Sequence, residues 1–221
     1  MAAALDQIGL FPLGVVLFPG AYLPLHIFEQ RYRALIRDCI EQQQPFGINL
    51  LDNGELHLVG CTAHVHAVLR QYSDGRLDIV VRGERRYILQ SFDDKSKPYY
   101  VGTIEYFDDH PNQQDIRFDL YQRCAMHYNS LVERVFPNPD QFKLPLERIP
   151  VIEGSTPSYV MAQKAGLKLP QKQVLLSMQS ENERLKFLIE HLEDLLPRLD
   201  RAEQIYRVAQ ADGYFIPDAR S

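Results

Sequence analysis

Residues 46–83, FGINLLDNGELHLVGCTAHVHAVLRQYSDGRLDIVVRG, decide the fold class. Two apolar runs, 46–51 and 56–59, flank Asp52-Asn53-Gly54-Glu55. Asn-Gly supplies two residues that adopt positive φ at little cost, as a two-residue hairpin turn with the native twist requires. A second hairpin follows, with arms 63–71 and 77–83 and Ser73-Asp74-Gly75 at its tip. Ala63, Val65, Ala67 and Leu69 share one face of the first arm; Leu77, Ile79 and Val81 share one face of the second. A two-residue turn at Asp74-Gly75 would set these apolar sets on opposite faces. A three-residue loop sets Leu69 opposite Ile79 and Ala67 opposite Val81. The spacing therefore predicts the three-residue loop with Gly75 left-handed in a bulge, because a slip of one residue inverts a strand's faces.

Working toward the N-terminus, residues 8–11 and 15–18 are short apolar runs punctuated by Pro12, Gly14, Pro19 and Gly20, and read as buried strands. Residues 22–27 make a third strand. Pro24 lies inside it and cannot donate to a ladder, which predicts an edge or a bulge. Over 28–42 the period changes. Phe28, Tyr32, Leu35, Ile36, Cys39 and Ile40 form one stripe at helical spacing, with Glu29 in the first turn. Residues 86–92 and 99–107 supply further strands. One helix among many short strands implies a closed or nearly closed β-domain, since closure removes exposed edges.

Toward the C-terminus, composition turns polar over 108–114, which places a boundary between a β-rich part, 1–111, and a helical part, 112–211, with a loose tail at 212–221. Ile116, Leu120, Cys124, Tyr128, Leu131 and Val135 predict a helix of about six turns. Thr156-Pro157 reads as a helix start, Gly166 as its cap, and Pro170 as the start of another helix. Ser180-Glu-Asn-Glu183 fits a capping box before Leu185, Leu188, Ile189, Leu192, Leu195 and Leu196. Pro197 is expected to kink or restart that helix. The fold class is thus α+β, with the helices packing as a bundle through their apolar stripes.

The chain has 221 residues, 45% of them hydrophobic, 24% charged and a net charge of −5. That suits a core-forming protein and supplies no basic footprint for nucleic acid. There is no membrane-length apolar run and no secretory-type N-terminus, and the three cysteines are too scattered for a disulfide framework, so the expected location is the cytoplasm. A phosphate-cradling Gly-x-x-x-x-Gly-Lys-Ser/Thr loop, a Gly-x-Gly-x-x-Gly turn, a Gly-x-Ser-x-Gly elbow and a His-Glu-x-x-His helix are all missing, so no cofactor or catalytic role is assigned. His57, Cys61, His64 and His66 carry zinc-ligating chemistry within ten residues, but not across a tight turn, and read as strand residues with no metal. Cys39 and Cys124 fall on buried stripes and read as small core hydrophobes.

Phe11-Pro-Leu13, Val16-Leu-Phe-Pro-Gly20, Pro24-Leu25 and Ile27-Phe-Glu-Gln-Arg-Tyr32 resemble the opening motif of the Lon protease N-terminal, substrate-binding domain. Val59-Gly-Cys-Thr-Ala63, Asp74-Gly-Arg76, Gly83-Glu-Arg-Arg-Tyr87, Pro98-Tyr99 and Lys172-Gln-Val-Leu-Leu176 are similar to its later segments. The resemblance covers roughly residues 5–200. It implies a PUA-like pseudo-barrel followed by a helical bundle, and recognition of unfolded or partly folded polypeptide or of a dedicated protein partner. Full Lon proteases continue into ATPase and Ser-Lys peptidase modules, so the expectation is a stand-alone, non-catalytic recognition or adaptor protein. RNA binding, by analogy with other PUA-like barrels, and an unrecognised small enzyme are the alternatives. Tyr22, Glu29, Arg31, Arg85 and Arg86 are the candidate partner-contacting residues. For Glu29 and Arg31, helix capping and ion pairing with the Arg85/Arg86 segment is the favoured reading, since charged networks are often structural. Phe18, Pro19, Gly20 and Tyr32 look like fold determinants.

Overall fold

The structure, a computed structural model, describes residues 5–111 and 115–211. The tail expected at 212–221 lies outside the described residues. The elements are β1 (Leu5–Leu13), β2 (Tyr22–Ile27), α1 (Gln30–Gln42), β3 (Phe46–Asp52), β4 (Glu55–Gln71), β5 (Leu77–Asp93), β6 (Val101–Tyr106), α2 (Phe118–Val135), α3 (Pro157–Ala162), α4 (Leu169–Ser177) and α5 (Glu181–Ala211). The architecture is α+β: one mixed sheet with helices.

The strands run in the order β2-β5-β4-β3-β1-β6, and β5 pairs again with β6. A ring β5-β4-β3-β1-β6 therefore closes on itself. The long β5 makes this possible, since Leu77–Arg82 pairs with β2 while Tyr87–Asp93 pairs with β6. β2 hangs on β5 alone, so Pro24 sits on an edge strand, where its missing N–H breaks no ladder.

Both hairpins form. Asn53 and Gly54 take φ of 50° and 83°, and Asp52 pairs with Glu55. At the second tip the Tyr72 N–H donates to Arg76 O at 2.9 Å and Gly75 has φ +86°, the three-residue loop its register demanded. The register farther from the tip differs from expectation. Arg70 and Gln71 face Asp78 and Leu77, but Val68 then faces Ile79, Ala67 faces Val80, and Val65 faces Val81. Extra residues at Leu69 and His66 cause the shift. Such bulges add the bend that a strand needs to curve within a closed ring, and they turn Leu69 outward.

Two pairs of expected strands are really two long ones, β4 and β5, because Gly60 and Gly83 let the ladder pass crowded points without stopping. A Cβ at Gly60 would meet the Tyr87 hydroxyl at 2.6 Å, and one at Gly83 would meet the Phe18 carbonyl at 2.3 Å. The segment 15–18 is not a strand. It crosses over β5 with Leu17 and Phe18 buried, and the Gly20 N–H bonds Gly83 O at 2.8 Å.

Helix α1 begins at Gln30, so Phe28 and Glu29 precede it, and its buried face is Tyr32, Leu35, Ile36 and Cys39. α2 is about a turn shorter than expected and buries Tyr121, Cys124, Tyr128 and Leu131. Ser180 caps α5 only in part: its Oγ accepts from the Glu183 N–H at 3.4 Å, while Glu183 pairs with Lys186. Pro197 does not stop α5, which runs from Glu181 to Ala211. Proline lies on the exposed face there, so the carbonyl that loses its partner meets water. Leu185, Leu188, Ile189 and Leu192 pack in one continuous core with α2, α3, α1 and the sheet. A separate small cluster of Ile8, Leu10, Tyr87, Leu89 and Ile104 joins β1, β5 and β6.

Candidate functional site

Two places gather the candidate residues. The first lies wholly within the β-rich part. β1 pairs with β6 only through Leu5–Gly9, and with β3 on its other side through Leu10–Leu13. The end of β1 thus leaves one edge open toward the end of β2 and the start of α1. A groove occupies this gap in two connected parts, of about 190 and 270 Å³, that share Pro12, Arg31, Tyr32 and Leu51. One part runs past Leu10, Phe92 and Tyr100; the other past Leu25, Ile27 and Phe28.

The groove is apolar and its walls are open to water. Phe28 is 61% exposed, Phe92 55% and Leu51 41%. Leaving such side chains solvated costs on the order of 25 cal/mol for each Å² of apolar surface, so their clustering is a departure from ordinary burial. The floor is rigid. Tyr32 stacks on Phe11 with ring centroids 4.0 Å apart, and Arg31 lies over Tyr32 at 4.5 Å. Glu29 holds Arg31 by an ion pair of 2.9 Å. Burial pushes the Tyr32 phenol above its usual range, with Arg31 partly opposing, so this tyrosine stays neutral at physiological pH.

Beside the groove, and meeting it at Arg31, is a larger cleft of about 940 Å³ between α1 and the tip of the β4–β5 hairpin. Arg33 and Arg37, four apart on α1, line it together with Ile40 and Glu41, and face Val68, Gly75 and Leu77.

The second place is the junction of the sheet with the helices. Arg86, buried, donates to Asp109 Oδ1 at 2.6 Å, to Leu176 O at 3.1 Å and to Met178 O at the end of α4. Arg184, with no exposed surface, donates to Asp109 at 2.5 and 2.8 Å, to Glu181 at 2.8 Å and to Ser158 Oγ at 3.0 Å. Glu181 also accepts from the Ser158 N–H at 2.8 Å. Burial alone would push the Asp109 carboxyl up, but Arg184 and Arg86 outweigh it and hold the group below the usual carboxylate range. Two guanidiniums and two carboxylates thus neutralise one another where water is scarce, the condition under which a buried ionic cluster is tolerated.

The sequence-predicted set is therefore divided. Glu29 and Arg31 sit together in the groove and pair with each other, not with the Arg85/Arg86 segment. Arg85 is exposed, bonded to Asp108 at 3.1 Å and lying over Tyr106. Arg86 is inside the junction. Tyr22 stands apart on β2, edge-on to His66 at 4.9 Å. His64 faces Glu84 at 3.2 Å. Cys61 is fully buried, its thiol pushed up to about 12 by burial, and Cys39 is pushed up to about 11. Among the described residues, no three His, Cys, Asp or Glu side chains converge on a common point. Sequence reading missed Phe28, Leu51, Phe92, Arg33 and Arg37 as site residues. Phe28 falls on the helical stripe by spacing; only the helix starting at Gln30 frees it.

A family model for the substrate-binding domain of ATP-dependent protease La (LON) matches residues 7–194. A Lon protease from Anaeromyxobacter dehalogenans is 26% identical over 189 residues, covering 80% of this chain; the chain spans 22% of that relative's length. A solved Lon N-terminal domain protein from Xanthomonas campestris superposes with a TM-score of 0.59 at 24% identity, covering 84% of this chain and 98% of that one. The N-terminal domain of a Lon protease from the Mycobacterium avium complex gives a TM-score of 0.62 at 18% identity, covering 86% and 100%.

Proposed function

The chain belongs to the Lon protease substrate-binding domain family, and on that premise we propose that it recognises unfolded or partly folded polypeptide through the groove between β1, β2 and α1. In this reading the β-rich part is a PUA-like pseudo-barrel, the α2–α5 region is a helical bundle that braces it, and the protein's own role is recognition, as an adaptor in the cytoplasm, without bond cleavage. The observation that carries it is the run of solvent-exposed Phe28, Leu51 and Phe92 over a packed Phe11–Tyr32 floor. Extended chains present apolar side chains that folded ones hide, and a preformed apolar groove with one fixed cation at its wall suits them. Glu29 and Arg31 are assigned to that wall. Tyr22 and Arg85, both exposed, are assigned to the rim of a larger partner, and Arg86 acts from inside by fixing the helices. The buried cysteines, with thiol ionisation pushed up, support a binding role over nucleophilic chemistry.

Titration of reduced, alkylated α-lactalbumin by fluorescence anisotropy tests this. Binding of the unfolded chain, none of its folded form, and at least tenfold weakening by Phe28→Asp with Leu51→Asp are expected. Absence of binding at several hundred micromolar, or equal affinity in the double variant, contradicts it.

A further inference from the structure

We infer that the cleft between α1 and the β4–β5 hairpin selects, among unfolded polypeptides, those that carry Asp or Glu side chains beside the apolar residue seated in the groove. The inference rests on the groove reading above and adds a chemical class of substrate to it.

The charge balance of the cleft is the first ground. The chain is acidic overall, at −5, yet the residues lining this cleft include three arginines and a single carboxylate, Glu41. Of the three, Arg31 is engaged by Glu29. Arg33 has no carboxylate within ion-pair distance among the described residues; its acidic neighbour at the hairpin tip, Asp74, acts on it from farther off and is held by Arg76 at 2.8 Å. Arg37 has only Asp38 at 4.0 Å, and Asp38 is held more closely by Lys97 at 3.1 Å and by the Tyr99 hydroxyl at 2.7 Å. Two guanidiniums thus line the cleft without a close ion pair of their own, Arg37 meeting Asp38 only at 4.0 Å.

Position is the second ground. Arg33 reaches across the cleft to the hairpin tip. A Cβ at Gly75 would lie 2.1 Å from its Nη2; that flexible tip can move aside, so what requires glycine there is the φ of +86°. The cation is therefore seated against the hairpin backbone and does not lie along its own helix. Arg31 lines both the groove and the cleft, so a chain leaving the groove passes it and meets Arg33 and Arg37 next. A carboxylate accepts two parallel N–H bonds from a guanidinium, a geometry that lysine does not offer. Ile40, Val68 and Leu77 supply apolar wall between the charges.

The same walls argue for peptide over nucleic acid. Among the described residues no aromatic ring lines the cleft to stack a base, and Glu41 would oppose a run of phosphates.

The test uses the full chain and three fluorescein-labelled probes: a twelve-residue peptide of leucine, serine and aspartate, the same peptide with asparagine at each aspartate, and a twelve-nucleotide single-stranded RNA. At low salt the aspartate peptide is expected to bind roughly fivefold to tenfold tighter than its asparagine twin, a preference that fades as salt screens it. R33Q with R37Q should abolish the preference, bringing the aspartate peptide's affinity down to that of its asparagine twin. R198Q, remote on α5, should change neither, and melting curves check that each variant folds. Equal affinity for the two peptides in the wild type, or a preference that survives R33Q/R37Q, overturns the inference while leaving polypeptide binding intact. RNA bound more tightly than either peptide, and lost in R33Q/R37Q, overturns it in favour of nucleic acid. Failure of the wild type to bind either peptide overturns it together with the groove reading.

Discussion

Two regions of this molecule set an arginine over a tyrosine ring beside a carboxylate, and they differ in what is left over. At the junction Arg184 lies 4.5 Å from the Tyr159 centroid; in the groove Arg31 lies 4.5 Å from that of Tyr32. The Arg184 side chain is 0% exposed and meets Asp109, Glu181, Ser158 and a helix-end carbonyl; the Arg31 side chain is 43% exposed and meets one glutamate. The pairing is the same and the surroundings are not. Where protein acceptors use every donor, the arginine joins the sheet to the helices. Where the ring is part of an open floor, the arginine remains available to a second chain.

The largest effect should come from breaking the junction. Arg184→Met leaves Asp109 and Glu181 with less compensation and is expected to lower stability by about 3–5 kcal/mol, measured by urea unfolding. Asp109→Asn should cost less, about 1.5–3 kcal/mol near neutral pH, as charged hydrogen bonds become neutral ones. It should also change the acid response. The folded-state pKa of Asp109 is depressed, so its contribution is present above the unfolded value and is lost as pH falls through the folded one. The wild type should therefore weaken below about pH 4. The Asn variant lacks that part of the slope, and unfolding curves from pH 7 to pH 2 would show the difference.

The smallest effect on stability, and the sharpest contrast, should come from the groove. Phe28→Ala and Leu51→Ala are expected to move stability by no more than about 0.5 kcal/mol, because both side chains are already solvated. Each should nonetheless weaken unfolded-polypeptide binding several-fold. Equal losses of stability at the groove and the junction would erase the distinction between them.

The sequence disclosed these regions unequally. The hairpins, the left-handed Gly75 and the edge position of β2 follow from local rules: Asn-Gly, face matching across a tip, and a proline without a donor. The bulges at His66 and Leu69 do not, because they answer to ring closure, a property of five strands at once. The junction was half visible. Arg86 was named as a candidate partner contact, but Asp109 lies 75 residues from Arg184, in a polar stretch that reads as a linker. Of the groove, only Glu29 and Arg31 were named from the sequence. Phe28 and Leu51 are apolar residues in apolar runs, and their exposure is decided by where a helix begins and where one strand edge stays open.

Backbone hydrogen exchange of the protein, with and without reduced, alkylated α-lactalbumin, tests the groove assignment most directly. Added protection at residues 10–13, 25–32 and 51, with the junction at 84–86 and 154–159 unchanged, is the expected result. Protection confined to the junction or the helices, while the groove exchanges as in the free protein, would contradict it.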